Sequence, residues 1–337
     1  MNRREFLKNS SLVAGAVVAQ QIIGLEKLAF GATAVRRGDM LYRQLGSTGE
    51  EISLVGLGGF HIGKQADSKE SIGIIRAAID HGITFLDNSW DYNDGESEKR
   101  MGKALQGGYR KKAFLMTKFD GRTREAAAKQ IDESLRRLKT DHVDLLMFHE
   151  VIRMNDPDRF FGQDGAVQAA LAARKEGKAR FLGFTGHKDP AIHLHMLDLA
   201  RTYGFRPDAV LMPLNVMDAH NRSFEHQVLP RLIADQVGVL SMKPMGDSFI
   251  LKSNAVSATE CLHYVMSVSP GTVITGIDSM PILKQALEAV RTFKPMTQGE
   301  IAALLARTKK FAGAGEYELF KTSDHFDSTA KHPEWLG

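Results

Sequence analysis

Short apolar runs recur along this chain, each ending on a polar or charged residue and followed by a stretch with helical spacing. Eight of them read as strands: Leu54–Phe60, Thr84–Asn88, Ala113–Phe119, Val143–His149, Ala179–Thr185, Ala209–Asn215, Gly238–Lys243 and Thr272–Ile277. Most are continuous rather than alternating, as expected of parallel strands covered on both faces. Amphipathic stretches lie between them, for example Arg124–Leu138, with Thr123 as its expected N-cap, and Gln163–Lys175. Eight such units predict an α/β fold, the (β/α)8 TIM barrel, with its chemistry at the C-terminal ends of the strands. Ahead of the first unit, "MLYRQLGSTGEEIS" reads as a hairpin turning at Gly46–Gly49. After the eighth, "TQGEIAALLARTKKFAG" reads as an extra C-terminal helix, and the tail "FDSTAKHPEWLG" is expected to pack across the barrel.

The first 34 residues break the pattern. "NRREFLKNS" is charged, "SLVAGAVVAQQIIG" mildly apolar, and "AFGATA" small, the order of an export signal. Adjacent Arg3 and Arg4, followed by Phe6, Leu7 and Lys8, resemble a bacterial twin-arginine (Tat) signal. The chain therefore divides into a signal, residues 1–34, and one barrel domain, residues 35–337, expected in the periplasm after export by the Tat machinery. The apolar run is too short and too interrupted by glutamine to span a membrane, so the mature protein is expected to carry no span. Net charge is 44 − 40 = +4 over the 337 residues, with no basic run interleaved with aromatics, which argues against nucleic acid. The single cysteine, Cys261, excludes an internal disulfide and any all-cysteine metal site. His193 and His195, two apart on a helical stretch, face different directions, so no metal site is expected there.

Four residues carry the candidate chemistry. Asp87, Tyr92, Lys118 and His149 stand at or just beyond the ends of three successive runs, "GITFLDNSWDY", "KKAFLMTKF" and "HVDLLMFHE". A free tyrosine, with a pKa near ~10, is a poor acid–base group at neutral pH. A neighbouring ammonium stabilises its phenolate, so Lys118 is expected to lower the pKa of Tyr92, with Asp87 orienting Lys118. His149 would hydrogen-bond the substrate oxygen and stabilise developing negative charge. Such a set protonates a carbonyl oxygen while a hydride arrives at the carbon.

"GITFLDNSWDYNDGESEKRMGKAL" resembles the signature of the aldo-keto reductase superfamily, "MTKF" its lysine strand and "DLLMFHE" its histidine strand. The resemblance runs from about Tyr42 to Phe293. It implies a nicotinamide-dependent oxidoreductase acting on a small-molecule carbonyl or alcohol, with Asp87, Tyr92, Lys118 and His149 as its catalytic residues. It also implies a nucleotide, NADP or NAD, lying extended across the barrel mouth. Residue by residue, the cofactor positions fall on Thr185 and Gly186, where a Ser–Asn pair is usual, and on Asn215. They continue with Met242, in place of a stacking tyrosine, Lys243, which would reach a phosphate, and Gly276, Asp278 and Ser279 in the loop after the last strand. Asp278 would disfavour a 2′-phosphate; it reads equally well as a helix cap. Phe60 and Trp90 are expected either to line the substrate pocket or simply to pack. The family also contains nucleotide-binding accessory subunits, so a sensor or accessory role with little turnover stays open beside the enzyme.

Overall fold

The structure, a computed structural model, describes residues 34–337; the export signal expected over residues 1–34 lies almost wholly outside them. Eight parallel strands close into a barrel in the order β10-β11-β4-β5-β6-β7-β8-β9. They are β4 (Val55–Gly58), β5 (Phe85–Leu86), β6 (Phe114–Phe119), β7 (Val143–Phe148), β8 (Ala179–Thr185), β9 (Ala209–Pro213), β10 (Gly238–Met242) and β11 (Thr272–Gly276). The expected (β/α)8 barrel is thus present, with β8 matching its apolar stretch and the other seven strands slightly shorter than theirs. The trimmed residues are mostly those that turn out of the ladder at the C-terminal end, where the site lies.

The N-terminal hairpin has three strands: β1 (Val35–Arg37), β2 (Met40–Gln44) and β3 (Glu51–Ser53), paired in that order, both pairs antiparallel. Leu45 and Ile52 enter the cluster that fills the barrel interior, alongside Phe85, Met116, Leu145 and Leu240. Gly46 sits so close to the start of β10 that a Cβ there would meet Gly238 N at 2.4 Å, and its φ of +52° is one that glycine adopts freely. The hairpin therefore plugs the N-terminal end of the barrel and leaves the opposite end for the site.

Side-chain alternation carries polar residues into that end. Along β6, Phe114 and Met116 face the interior cluster, while Leu115 and Phe119 join the outer core against the helices. Continuing the period of two places Lys118 and then Asp120 above Met116. On β7, Leu145 and Met147 face inward in the same way and His149 follows them. The outer layer follows its capping chemistry. The helix Arg124–Leu138 starts where Thr123 accepts a hydrogen bond from Ala126 N, as expected. The helix expected from Gln163 instead begins at Ala166, because Gly165 bridges to Thr123 and takes the extended conformation.

After the extra helix Gln298–Ala312, the tail folds back over the barrel mouth. Arg122 N donates to Leu336 O at 2.8 Å, Gln130 Nε2 donates to Trp335 O at 2.9 Å, and the two tryptophans, Trp90 and Trp335, meet edge to face at 5.3 Å. Among the described residues, no helix is long and apolar enough to cross a membrane.

Candidate active site

A cavity of about 340 Å³ opens at the C-terminal ends of the strands, and Asp87, Tyr92, Lys118 and His149 all line it. Main-chain bonds between neighbouring strands fix their positions. Asp87 N donates to Leu57 O and His149 N donates to Phe119 O, both at 2.9 Å, so each residue is the first beyond its strand. Tyr92 begins a tight turn in which Asn93 and Asp94 take left-handed φ values of 54° and 53°. Asparagine and aspartate are, after glycine, the residues that take such values most readily.

Lys118 is the hub. Its Nζ, 1% exposed, reaches Asp87 Oδ1 at 2.5 Å, Asn88 O at 2.6 Å and Tyr92 Oη at 3.0 Å. An ammonium donates only, so the phenol oxygen accepts from Lys118 and its own hydrogen is free to point into the cavity. The protonation of Tyr92 departs from the sequence expectation. Burial pushes its pKa well above the usual value, and Asp87, Asp91, Glu150 and Asp120 add to the rise. Burial, with four carboxylates around one ammonium adding to it, reverses the expected lowering, and Tyr92 stands as a neutral phenol, a proton donor.

His149 is 7% exposed. Its Nδ1 lies 2.9 Å from Asp120 Oδ1 and 3.3 Å from both Asp91 Oδ1 and Ser89 Oγ. Arg122, fully buried, holds this corner together. It donates to the carbonyls of Asp120 (2.6 Å), His149 (3.1 Å) and Glu150 (2.6 Å), while Nε pairs with Asp156 Oδ1 at 3.1 Å. Glu150 has a left-handed φ of 44° and accepts from Ser328 N, Thr329 N and Thr329 Oγ1 at 2.7–2.8 Å, which ties the tail to the site.

The expected cofactor positions divide. Thr185, Gly186, Met242, Lys243 and Gly276 line the cavity. Gly186 has no room for the asparagine usual at its position, because a Cβ would meet Val151 O at 2.1 Å. Lys243 lies over the rings of Phe326 (4.4 Å) and Phe320 (5.3 Å), and burial lowers its pKa to about 8. Asn215 is not brought to the cavity. It is buried, accepts from Met217 N and Asp218 N, and donates to Glu318 Oε1, so its amide is consumed in holding the loop after β9. Asp278 is exposed beside the cavity, where its carbonyl accepts from Gln65 Nε2. The cap of the helix Met280–Thr292 is Ser279, not Asp278, and the Ser279 hydroxyl makes no capping bond.

Phe60 lines the cavity and meets Tyr92 edge to face at 5.6 Å. Trp90 does not line it. The Trp90 Nε1 donates to Glu133 Oε2 at 2.8 Å and its ring packs on Trp335, which is ordinary packing beneath the tail. Sequence reasoning missed Asp91, Asp120, Arg122 and Glu150. A signal existed for two of them: Lys118, Asp120 and Arg122 recur at period two beyond an apolar strand, one face of charges pointing inward.

The sequence pattern of the Aldo/keto reductase family matches residues 54–262, and the chain belongs to that family. It is 38% identical over 206 residues to the aldo-keto reductase YhdN of Bacillus subtilis, a match covering 57% of this chain and 58% of that protein. It is 31% identical over 214 residues to the L-galactose dehydrogenase of Arabidopsis thaliana, covering 60% and 65% respectively. The chain thus spans less than two thirds of the length of these relatives. Among solved structures, the holo form of aldo-keto reductase AKR11C1 from Bacillus halodurans superposes with a TM-score of 0.67 at 21% identity, over 80% of this chain and 96% of that one. An aldo/keto reductase from Klebsiella pneumoniae in complex with NADP and acetate gives 0.62 at 21% identity, over 79% and 94%. At these identities the likeness is one of fold.

Proposed function

We propose that this protein is a nicotinamide-dependent aldo-keto reductase that interconverts a carbonyl compound and its alcohol. The observation that carries the reading is Lys118 Nζ, bonded at once to Asp87, Asn88 O and Tyr92 Oη at the wall of a cavity. Tyr92 gives its proton to the substrate oxygen. Lys118 stabilises the phenolate that results, and Asp87 keeps the ammonium in place. A phenol with an ammonium at its oxygen is suited to that transfer. His149 meets the substrate beside Tyr92.

The cavity wall fits a nicotinamide dinucleotide. Thr185 Oγ1 is buried with no hydrogen-bond partner in the protein, an expensive state that a carboxamide would relieve. Gly186 and Gly276 line the cavity, and the Met242 thioether offers it an adaptable apolar surface. Lys243 and Lys64, both at the cavity, carry the charge to hold phosphates. When bound in its reduced form, the dinucleotide supplies the hydride.

The test is titration of the purified protein with NADPH and NADH, then loss of the reduced-nicotinamide absorbance on adding aldehydes such as glyceraldehyde and 4-nitrobenzaldehyde. Absence of both binding and turnover would refute the reading. Binding without turnover across a broad aldehyde panel would favour an accessory or sensor role.

Asp278→Arg is expected to shift preference toward NADP, on the proposal that the loop after β11 meets the adenosine ribose. A carboxylate there repels a 2′-phosphate, whereas a guanidinium binds it with a forked geometry. Fluorescence titration measures both affinities; an unchanged NAD/NADP ratio removes Asp278 from the cofactor site.

We also propose export through the Tat route to the periplasm, on the strength of the "RREFLK" run. Replacing Arg3 and Arg4 by lysines is expected to leave an uncleaved precursor in the cytoplasm. Cell fractionation reads the result, and normal periplasmic accumulation of the variant would sink the proposal.

A further inference from the structure

We infer that Asp120 is a positioning residue that fixes the tautomer of His149, so that the site selects a carbonyl substrate bearing a hydroxyl next to the carbonyl; this rests on the carbonyl-reducing reading above. The argument starts at His149 Nδ1. It lies 2.9 Å from Asp120 Oδ1, which it hydrogen-bonds, and 3.3 Å from Asp91 Oδ1, which it only contacts. Ionised carboxylates accept and never donate, so a lone pair on Nδ1 would face those of both acids, and the Ser89 hydroxyl, which can donate or accept, is the longer contact at 3.3 Å against 2.9 Å to Asp120. The proton therefore sits on Nδ1 and points at Asp120.

The rest of the imidazole follows. Burial holds His149 below its usual pKa, outweighing the pull of Asp91 and Glu150, so the ring is neutral near neutral pH. A neutral ring protonated on Nδ1 carries a bare lone pair on Nε2. No hydrogen bond to a described residue uses Nε2, and His149 lines the cavity. His149 thus offers the substrate an acceptor, in place of the donor to the carbonyl oxygen expected from the sequence. Its neighbour offers the opposite: Tyr92 Oη is occupied by Lys118 as an acceptor, and its O–H is free to donate. The two rings stand edge to face with centroids 5.8 Å apart.

A donor and an acceptor set side by side match a ligand with an acceptor and a donor side by side. A carbonyl oxygen takes the Tyr92 proton while a hydroxyl on the next carbon donates to His149 Nε2. The other tautomer would aim two donors at a single oxygen, which suits a plain aldehyde or ketone. A site built to bond a substrate hydroxyl discriminates strongly against the analogue that lacks it, because its own buried group is left unpaired.

Asp120 also sets where this holds. Burial pushes its carboxyl up to about 7, against the opposing effects of Arg122 and Lys118. Protonated Asp120 would donate to Nδ1 and move the imidazole proton to Nε2, so the acceptor form belongs to the pH range above that value. The other charged or titratable groups facing the pair are Asp87, Asp91 and Tyr92 after β5, Lys118 and Arg122 on β6 and its loop, and Glu150 after β7.

The experiment is nitrogen-15 NMR of the full chain with labelled histidine, above neutral pH, with hydroxyacetone and 2-butanone as probes of matched size. The expected spectrum has Nδ1 protonated and Nε2 bare, with Nε2 shifted by hydroxyacetone and not by 2-butanone. In turnover, kcat/KM is expected to favour hydroxyacetone by about tenfold or more, and Asp120→Asn to bring that ratio toward one. The wild-type spectrum decides the tautomer whether or not the variant folds. A proton on Nε2 in that spectrum overturns the inference. So does an Nδ1 stripped of its proton by a cation, since the ligand atoms of Asp91, Asp120 and His149 lie within 4.8 Å of one another. Equal responses to the two probes overturn the substrate class. Failure of every carbonyl to turn over would instead strike the reductase reading, while the two probe spectra still report on His149.

Discussion

Tyr92→Phe should lose ~10²–10⁴-fold in the rate of carbonyl reduction, the range that general acid catalysis contributes. The substitution removes one oxygen and spares the ring. That ring keeps its edge-to-face contacts with Phe60 and His149, and Lys118 keeps Asp87 and Asn88 O as partners. Nucleotide affinity should therefore stay nearly unchanged, and the loss should appear in a single-turnover measurement of the chemical step. Because burial and four carboxylates hold Tyr92 as a neutral phenol, the wild-type donor is fully loaded at neutral pH. A Phe variant that keeps more than about a tenth of the wild-type single-turnover rate would assign proton donation to another group, against the magnitude expected for such catalysis.

The barrel was legible because its signal is local. Continuous apolar runs mark buried parallel strands, and a polar residue at the end of each run marks the face where chemistry collects. The four residues Asp87, Tyr92, Lys118 and His149 sit on such ends, and the fold brings them to one cavity. What escaped was set by contacts far apart in sequence. Glu150 looks like any acid after a strand until Ser328 and Thr329, 178 and 179 residues further on, donate to it. Trp90 reads equally well as a pocket aromatic or as packing, and only Trp335, at the end of the chain, decides for packing. Asn215 carries an amide of the right type at the right strand, but Glu318 and two main-chain amides use it up. The protonation of Tyr92 failed for a related reason. Burial, the largest cause, and the carboxylates of Asp120 and Glu150 arise only once the strand ends converge, whereas Asp91, next to Tyr92 in the chain, was in view but not set against Lys118.

This crowding of acids around so few cations makes Lys118 a structural residue as well as a chemical one. Lys118→Met should destabilise the fold by ~3–5 kcal/mol, the usual effect of removing one partner of a buried ion pair. Asp87 would be left buried at 5% exposure with its carboxylate unpaired. Turnover should fall with stability, so the single variant alone does not separate the two roles. The double variant Lys118→Met, Asp87→Leu does. Replacing both charges by apolar groups removes the unpaired carboxylate and should recover most of the lost stability. It cannot restore the ammonium at Tyr92 Oη, so reduction should stay as slow as in the single variant. Urea unfolding gives the stabilities, and single-turnover rates give the chemistry. A single variant within about 1 kcal/mol of wild type would show the pair to be energetically idle, well outside the usual cost for a buried charge. A double variant with restored turnover would show that Tyr92 works without its ammonium.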